Sequence, residues 1–305
     1  MTVLRSLCYN NAEVVYLEQS GDFMDKVLIN SQAKVNLSLD VCGVREDGYH
    51  TVQMIMQKCN LCDSVYVEKC EAGISLSCNL YFLPTDEKNI AYKAAQLFFA
   101  ETGIRGGVRI RIEKRIPVSA GLAGGSGNAA AVLQGLDMLY ETKLSQAALE
   151  RMGLKLGADV PYCLRGGTVL AEGIGEVLTD LPTLPRTAIV IVKPKISVST
   201  ADIYKAMDSA EIVARPDTPA LIAALEAKDV RALAVQMHNV MEPVTRGMHP
   251  VIGEIKNALL EYGALGAIMS GSGPSVFGLF DDFALAKKAG NALKENYFTY
   301  VGWTN

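Results

Sequence analysis

From Lys26 onward, apolar and polar positions alternate with the period of two that marks a half-buried strand, in KVLIN, AKVNLSLDV, TVQMIMQ and SVYVE. The segment GVREDGYH between the second and third of these runs is polar and carries Gly43 and Gly48, which predicts a loop. The period then changes. Ile90, Ala94, Leu97 and Phe98 recur at helical spacing behind a cap at Asp86 or Asn89, and Gly103 is the expected stop. GVRIRIEK places Val108, Ile110 and Ile112 on one strand face and Arg109 and Arg111 on the other, and Pro117 ends it. A glycine-rich turn then runs into a helix with Val132, Leu133, Leu136 and Tyr140 as its predicted buried stripe. A further helix capped by Ser145 leads to a loop, GADVPY.

Beyond residue 181 the pattern restarts. It predicts a strand TAIVIV, helices around 200–208, 217–226, 229–238 and 250–262, strands LGAIM and PSVFGLF, a helix ALAKKAGNALKEN and a last strand FTYVG. With the additional helices set aside the order is β-α-β-β-α-β, the ferredoxin-like arrangement, so the expected class is α+β. Chain length supports this division, since 305 residues at roughly 150 per domain make about two domains. The Pro-containing LPTLPR at 181–186 is the predicted linker.

Composition narrows the partners. Twenty-nine Lys and Arg against 33 Asp and Glu give a net charge of −4 with no long run of one sign, so the broad basic footprint of a nucleic-acid binder is missing. Any bound anion is held locally. Mean hydropathy is +0.18, yet no apolar stretch approaches the roughly 18 residues that span a bilayer, and no membrane partner is expected. The first two dozen residues do not read as a signal peptide, and seven cysteines, an odd number, point to reduced thiols in the cytoplasm. Cys59 and Cys62 form a C-x-x-C without a second pair at zinc spacing.

The strongest local signal is Gly121-Leu-Ala-Gly-Gly-Ser-Gly-Asn-Ala-Ala, with four glycines in seven residues at a helix start. Converging backbone N–H groups and the positive end of a helix favour phosphate. Asn128-Ala129 stand where a Walker A loop needs Lys and Ser or Thr. Gly125-x-Gly127-x-x-Ala130 fits a dinucleotide fingerprint, but no βαβ unit with a ribose-binding acid follows. A turn with a packing role only is the alternative. Gly166-Gly167 with Gly173-x-Gly175, and Ser270-Gly271-Ser272-Gly273, read singly as hairpins or bulges. Lys34 can be a solvated strand charge or a functional one, and Asp159 a turn cap or a working carboxylate. His50, His238 and His249 have no nucleophile pattern around them, and no acid-rich metal cluster is present.

IPVSAGLAGGSGNAA resembles the phosphate-binding signature of the GHMP kinases, the family of galactokinase, homoserine kinase, mevalonate kinase and phosphomevalonate kinase. QAKVNLSLDVCGVREDGYHTVQMIMQ, LGADVPYCLRGGTVLAEGIGEVL and MSGSGPSVFGLF resemble, in the same order, the branch of that family that phosphorylates a cytidyl diphosphate ester of methylerythritol. The resemblance runs from about Lys26 to the C-terminus.

It implies a kinase fold with a domain like ribosomal protein S5 domain 2 over 24–181 and a ferredoxin-like domain over 182–305. Residues 1–23 form an extension without family counterpart, and a start at Met24 would give the usual opening. Lys34 and Asp159 are the implied catalytic pair, Asn36 lines the polyol end, and Tyr49, His50 and Tyr204 hold the cytosine. Pro117, Gly121, Leu122, Ala123, Gly124, Gly125, Ser126, Gly127 and Asn128 wrap the ATP phosphates, while Gly271, Ser272 and Gly273 support the site. Mg²⁺ arrives with ATP, held mainly by phosphates, with Ser126 as the candidate protein oxygen. Small-molecule substrates and a monomer or homodimer complete the expectation. A non-catalytic binding relative and a kinase for another small polyol remain the alternatives. One departure stands out: the family usually has Ser-Ser-Asp or Ser-Ser-Asn before Ala-Ala, and here Ser126-Gly127-Asn128 lacks the second hydroxyl.

Overall fold

The computed structural model describes residues 6–9, 12–20 and 23–305, with side chains from Asp25 onward. The first elements are strands β1 (Ser6–Tyr9), β2 (Ala12–Ser20), β3 (Phe23–Val44), β4 (His50–Cys70) and β5 (Gly73–Cys78). Helix α1 (Ile90–Thr102), β6 (Gly107–Glu113), helices α2 (Gly124–Leu139), α3 (Gln146–Leu156) and α4 (Val160–Arg165), and strands β7 (Thr168–Glu172) and β8 (Val177–Asp180) follow. The remainder runs β9 (Ala188–Lys193), α5 (Thr200–Met207), α6 (Thr218–Glu226), α7 (Val230–Gln236), β10 (His238–Asn239), α8 (Glu242–Met248) and α9 (Val251–Glu261). It closes with β11 (Gly266–Met269), β12 (Val276–Phe280), α10 (Phe283–Leu293) and β13 (Phe298–Trp303).

Two compact units interleave along the chain: 1–33, 62–116 and 123–166 form one, and 34–61, 117–122 and 167–305 form the other. The boundary expected at 181/182 falls inside the second unit. Strands β3 and β4 each contribute residues to both.

In the first unit a sheet carries one apolar face made by Val27 and Ile29 of β3, Val65 and Val67 of β4 and Val108, Ile110 and Ile112 of β6. Helix α2 lies on that face, and α1, α3 and α4 pack against α2. Enclosed on these sides, α2 is buried at every position from Gly127 to Leu139, not only along the predicted stripe. Tyr140 ends this helix, and its hydroxyl donates to Gly107 O at 2.9 Å. Helix α1 starts and stops where the sequence places it. The Asn89 side chain accepts from Ala91 N–H, and Gly103, at φ 67°, returns its N–H to Phe99 O. Strand β1 pairs antiparallel with β2 and β2 with β3, so the extension adds strands at this point. Residues 1–5, 10, 11, 21 and 22 of that extension lie outside the described residues.

The second unit contains the four-stranded sheet β11-β12-β9-β13, antiparallel throughout. With α9 and α10 this is the β-α-β-β-α-β order read from the sequence. Its core is the uninterrupted apolar run Ile189–Val192 against Phe277, Leu279, Ile252, Leu259 and Ala286.

Two expectations change. The KVLIN and AKVNLSLDV runs are one continuous strand, because backbone pairing carries across Ser31 and Gln32 regardless of their polar side chains. GADVPY is not all loop: residues 160–165 form α4, in which Pro161 occupies the first turn, where no N–H is needed.

Replacing Asn89 by Ala removes the cap of α1 and is expected to cost about 1 kcal/mol in a denaturant titration. An unchanged midpoint would show that packing alone holds the helix start.

Candidate functional site

Helix α2 begins without a capping side chain. The chain enters it through Ser119 (φ 50°), Gly121 (φ 72°) and Ala123 (φ 54°), three left-handed residues in five. Left-handed backbone at Ala or Ser costs about 1 kcal/mol each, and a helix start without a capping side chain presents its first N–H groups as donors suited to an anion. The Gly127 N–H is already bonded to Ala123 O at 2.8 Å. Gly125 is exposed and Ser126 half-buried at this helix start, whereas Gly127 and Asn128 are buried.

Beneath that first turn lies a polar cluster the sequence gives no hint of. Asp63, with no solvent exposure, pairs with Lys114 and accepts from Arg115 N at 2.7 Å, Ile116 N at 2.8 Å and Asn128 Nδ2 at 2.9 Å. Lys114 Nζ also donates to Asn128 Oδ1 at 3.0 Å. A Cβ built on Gly124 would stand 3.1 Å from that Nζ and 3.0 Å from Ile116 Cγ2. The helix therefore starts directly over a buried cation. Asp159, in the same unit, precedes α4, and its side chain makes no cap bond to that helix.

In the second unit Lys34 is buried, not solvated on an outer face, and its Nζ donates to Asn36 Oδ1 at 2.8 Å. Asn36, fully buried, donates from Nδ2 to Met54 Sδ at 3.1 Å and from its backbone N–H to Ser270 Oγ at 3.3 Å. Ser270 Oγ in turn donates to Gly121 O at 3.0 Å, and Lys34 N donates to Leu122 O at 3.2 Å. Lys34, Asn36, Gly121 and Leu122 are thus brought together with the loop that carries Gly271, Ser272 and Gly273. Only glycine fits at 121: besides its positive φ, a Cβ there would lie 2.2 Å from Ser270 O.

The 270–273 loop is fixed by a residue the sequence reading missed. Asn239 Nδ2 donates to Met269 O and Gly271 O, both at 2.8 Å, while its Oδ1 accepts from Met241 N. Ser272 is held by Thr200, hydroxyl to hydroxyl at 2.8 Å.

The expected base-binding residues sit in this unit too. The His50 and Tyr204 rings are 4.6 Å apart and inclined by 30°, so His50 covers one face of Tyr204. His50 Nε2 bonds to Asp208 Oδ1 at 2.7 Å, which orients the imidazole. Tyr49 is 61% exposed on the preceding turn. That turn is held by Asp47, whose carboxyl lies below its ordinary range chiefly because it accepts the Tyr49 N–H, with Arg45 assisting.

Among the described residues no group of three His, Cys, Asp or Glu could hold a metal, and no helix is long and apolar enough to cross a membrane.

Comparison with known proteins is consistent along the chain. The model of the GHMP kinases N terminal domain matches residues 89–167, and that of the GHMP kinases C terminal domain matches 221–299. A 4-diphosphocytidyl-2-C-methyl-D-erythritol kinase of Alkaliphilus metalliredigens is 50% identical over 267 residues, 87% of this chain and 92% of the relative. One from Clostridium botulinum is 50% identical over 269 residues, 88% of this chain and 96% of the relative. The crystal structure of a 4-(cytidine 5'-diphospho)-2C-methyl-D-erythritol kinase superposes with TM-score 0.80 at 34% identity, covering 91% of this chain and 99% of that one. A homoserine kinase from Cytophaga hutchinsonii, at 24% identity and TM-score 0.76, shares the fold.

Asp63→Ala leaves the Lys114 ammonium buried without its counter-charge. We expect a loss of about 3–5 kcal/mol in chemical denaturation. A loss below about 1 kcal/mol would mean that water reaches the site, contrary to the burial seen.

Proposed function

The chain belongs to the 4-diphosphocytidyl-2-C-methyl-D-erythritol kinase family of GHMP kinases, and we propose that it transfers a phosphoryl group from ATP to the 2-hydroxyl of that cytidyl polyol, giving the 2-phosphate. This is a step of the non-mevalonate route to isopentenyl diphosphate. The observation that carries the reading is identity of 50% with kinases of this name over almost nine-tenths of the chain.

Phosphoryl transfer asks a protein for positioning and for charge stabilisation more than for covalent chemistry. The uncapped start of α2 and the left-handed residues before it supply N–H donors for phosphate oxygens, and we assign residues 117 and 121–128 to the ATP phosphates. Asp159 is assigned as the carboxylate that orients and accepts the proton of the attacking hydroxyl. Lys34 is assigned to offset the charge that develops on the transferred group; its bond to Asn36 fixes the ammonium, and Asn36 borders the polyol. Tyr49, His50 and Tyr204 are assigned to the cytosine, with Asp208 orienting His50. Gly271–Gly273 support the site through Ser270 and Asn239.

Magnesium requires hard oxygen ligands and keeps several waters or phosphate oxygens. The chain offers no carboxylate cage among its described residues, and we assign the half-buried Ser126 hydroxyl as the candidate protein oxygen at the loop. Magnesium would therefore enter as Mg·ATP, with the phosphates as its main ligands, and would supply charge neutralisation there.

The decisive experiment is an ATP-dependent phosphorylation assay comparing the cytidyl diphosphate substrate with mevalonate, homoserine and galactose. Selective turnover of the cytidyl compound is expected, and preference for any of the other three would overturn the assignment. Asp159→Asn keeps the size and removes the base, so kcat should fall by roughly 10²-fold or more with ATP binding nearly unchanged. A near-normal kcat would exclude Asp159 as the base. Base–aromatic stacking is worth about 1–3 kcal/mol, so Tyr204→Ala should weaken the cytidyl substrate by roughly ten- to hundredfold while ATP affinity holds. Joint weakening of both ligands would make Tyr204 a packing residue.

A further inference from the structure

Gly127 lies in ordinary helical backbone within the first turn of α2, so no dihedral angle demands glycine there. Space does. A Cβ on Gly127 would stand 2.5 Å from Ser31 Oγ and 3.6 Å from Gln32 O, so a side chain at 127 would be directed into strand β3, away from the mouth of the loop. Ser31 is itself buried, and its hydroxyl accepts from Asn128 Nδ2 at 3.3 Å.

That bond has an orienting effect. The Asn128 amide has two N–H hydrogens and one oxygen to place. Ser31 Oγ and Asp63 Oδ2 take the N–H side, which leaves Oδ1 facing Lys114 Nζ. Turned the other way, the amide would set its N–H₂ against the ammonium. With the amide held, the Lys114 charge stays 3.1 Å from the Cβ position of Gly124, the first residue of α2, where it adds to the positive end of the helix.

We propose that Ser31 is a positioning residue of the anion-binding loop: its hydroxyl stands where a side chain at 127 would stand and fixes Asn128, and through it Lys114, beneath the first turn of α2. Gly127 and Ser31 form a matched pair, with the missing hydroxyl of the loop supplied from the neighbouring strand. The inference rests on assigning the loop to ATP phosphates, and it adds a residue that the loop motif does not contain.

The test is calorimetric binding of Mg²⁺ with a non-hydrolysable ATP analogue to wild type, Ser31→Ala, Ser31→Thr, Gly127→Ser and the Ser31→Ala/Gly127→Ser double variant. Melting temperature and cytidyl-substrate binding are read alongside. Ser31→Ala leaves one buried N–H of Asn128 without a partner and should raise the analogue Kd roughly three- to tenfold, the scale of one buried neutral hydrogen bond, with cytidyl-substrate Kd unchanged. Ser31→Thr keeps the hydroxyl and should bind within about twofold of wild type. Gly127→Ser crowds Ser31 Oγ and should weaken binding, while the double variant, with the hydroxyl moved to the helix, should recover most of it. Wild-type Kd in Ser31→Ala, equal weakening of both ligands, or a double variant no better than Ser31→Ala overturns the proposal. If the variants with Ser at 127 do not fold, the Ala and Thr variants at 31 decide it alone. Wild type that binds no analogue overturns the ATP-loop assignment instead, and binding without turnover of the cytidyl compound overturns only the substrate.

Discussion

A carboxylate with no exposure needs surroundings that replace the water it has lost, and Asp63 shows how completely this chain provides them. One cation, two main-chain N–H groups and one amide converge on it, from residues 114–116 and from Asn128. Those donors belong to the segment after β6 and to the fifth residue of α2, so satisfying one buried charge fixes the start of the helix over that segment. No capping side chain does that job. The N–H groups that a cap would occupy keep their direction through the rigid support below them.

The second unit achieves precision by a different route, through close approach of backbone to backbone. Gly121 has no Cβ because Ser270 O occupies that space, and the Ser270 hydroxyl links Gly121 to the Asn36 main chain. Lys34 is therefore anchored at both ends, by its main-chain bond to Leu122 and by its side-chain bond to Asn36. A buried ammonium held this way loses little further freedom when a substrate charge is presented to it. Asn239 extends the same economy, closing the glycine turn with two donors from one amide.

The sequence disclosed what depends on short-range pattern. Helix α1 with its Asn89 and Gly103 ends, the Ser145 cap, and the ferredoxin-like order all follow from period and punctuation, and the glycine loop from local composition. Residues whose importance is set by distant partners stayed silent. Asp63 and Lys114 are 51 positions apart, and Asn239 sits 30 or more from the carbonyls it binds, so neither carries a local signature. Gly127 is silent for a related reason. Its neighbour Ser31 is 96 positions earlier, and without that contact the loop reads as one hydroxyl short. Tyr49 and Tyr204 were legible as aromatic residues in suggestive segments, but the His50 ring against Tyr204 depends on a tertiary approach.

The interleaving of the two units has a consequence for synthesis. The first unit has all its residues once position 166 has emerged from the ribosome, but the second must keep 34–61 and 117–122 waiting until residues as late as Asn305 are made. The part of β3 and β4 that carries Lys34 and Asn36 is thus translated early, while most of the unit it belongs to is made last. A nascent chain whose residue 166 has just emerged would carry helix α2 in place, with both the 117–122 turn and the Lys34 strand still lacking Ser270, and would present strand edges that a chaperone would have to shield.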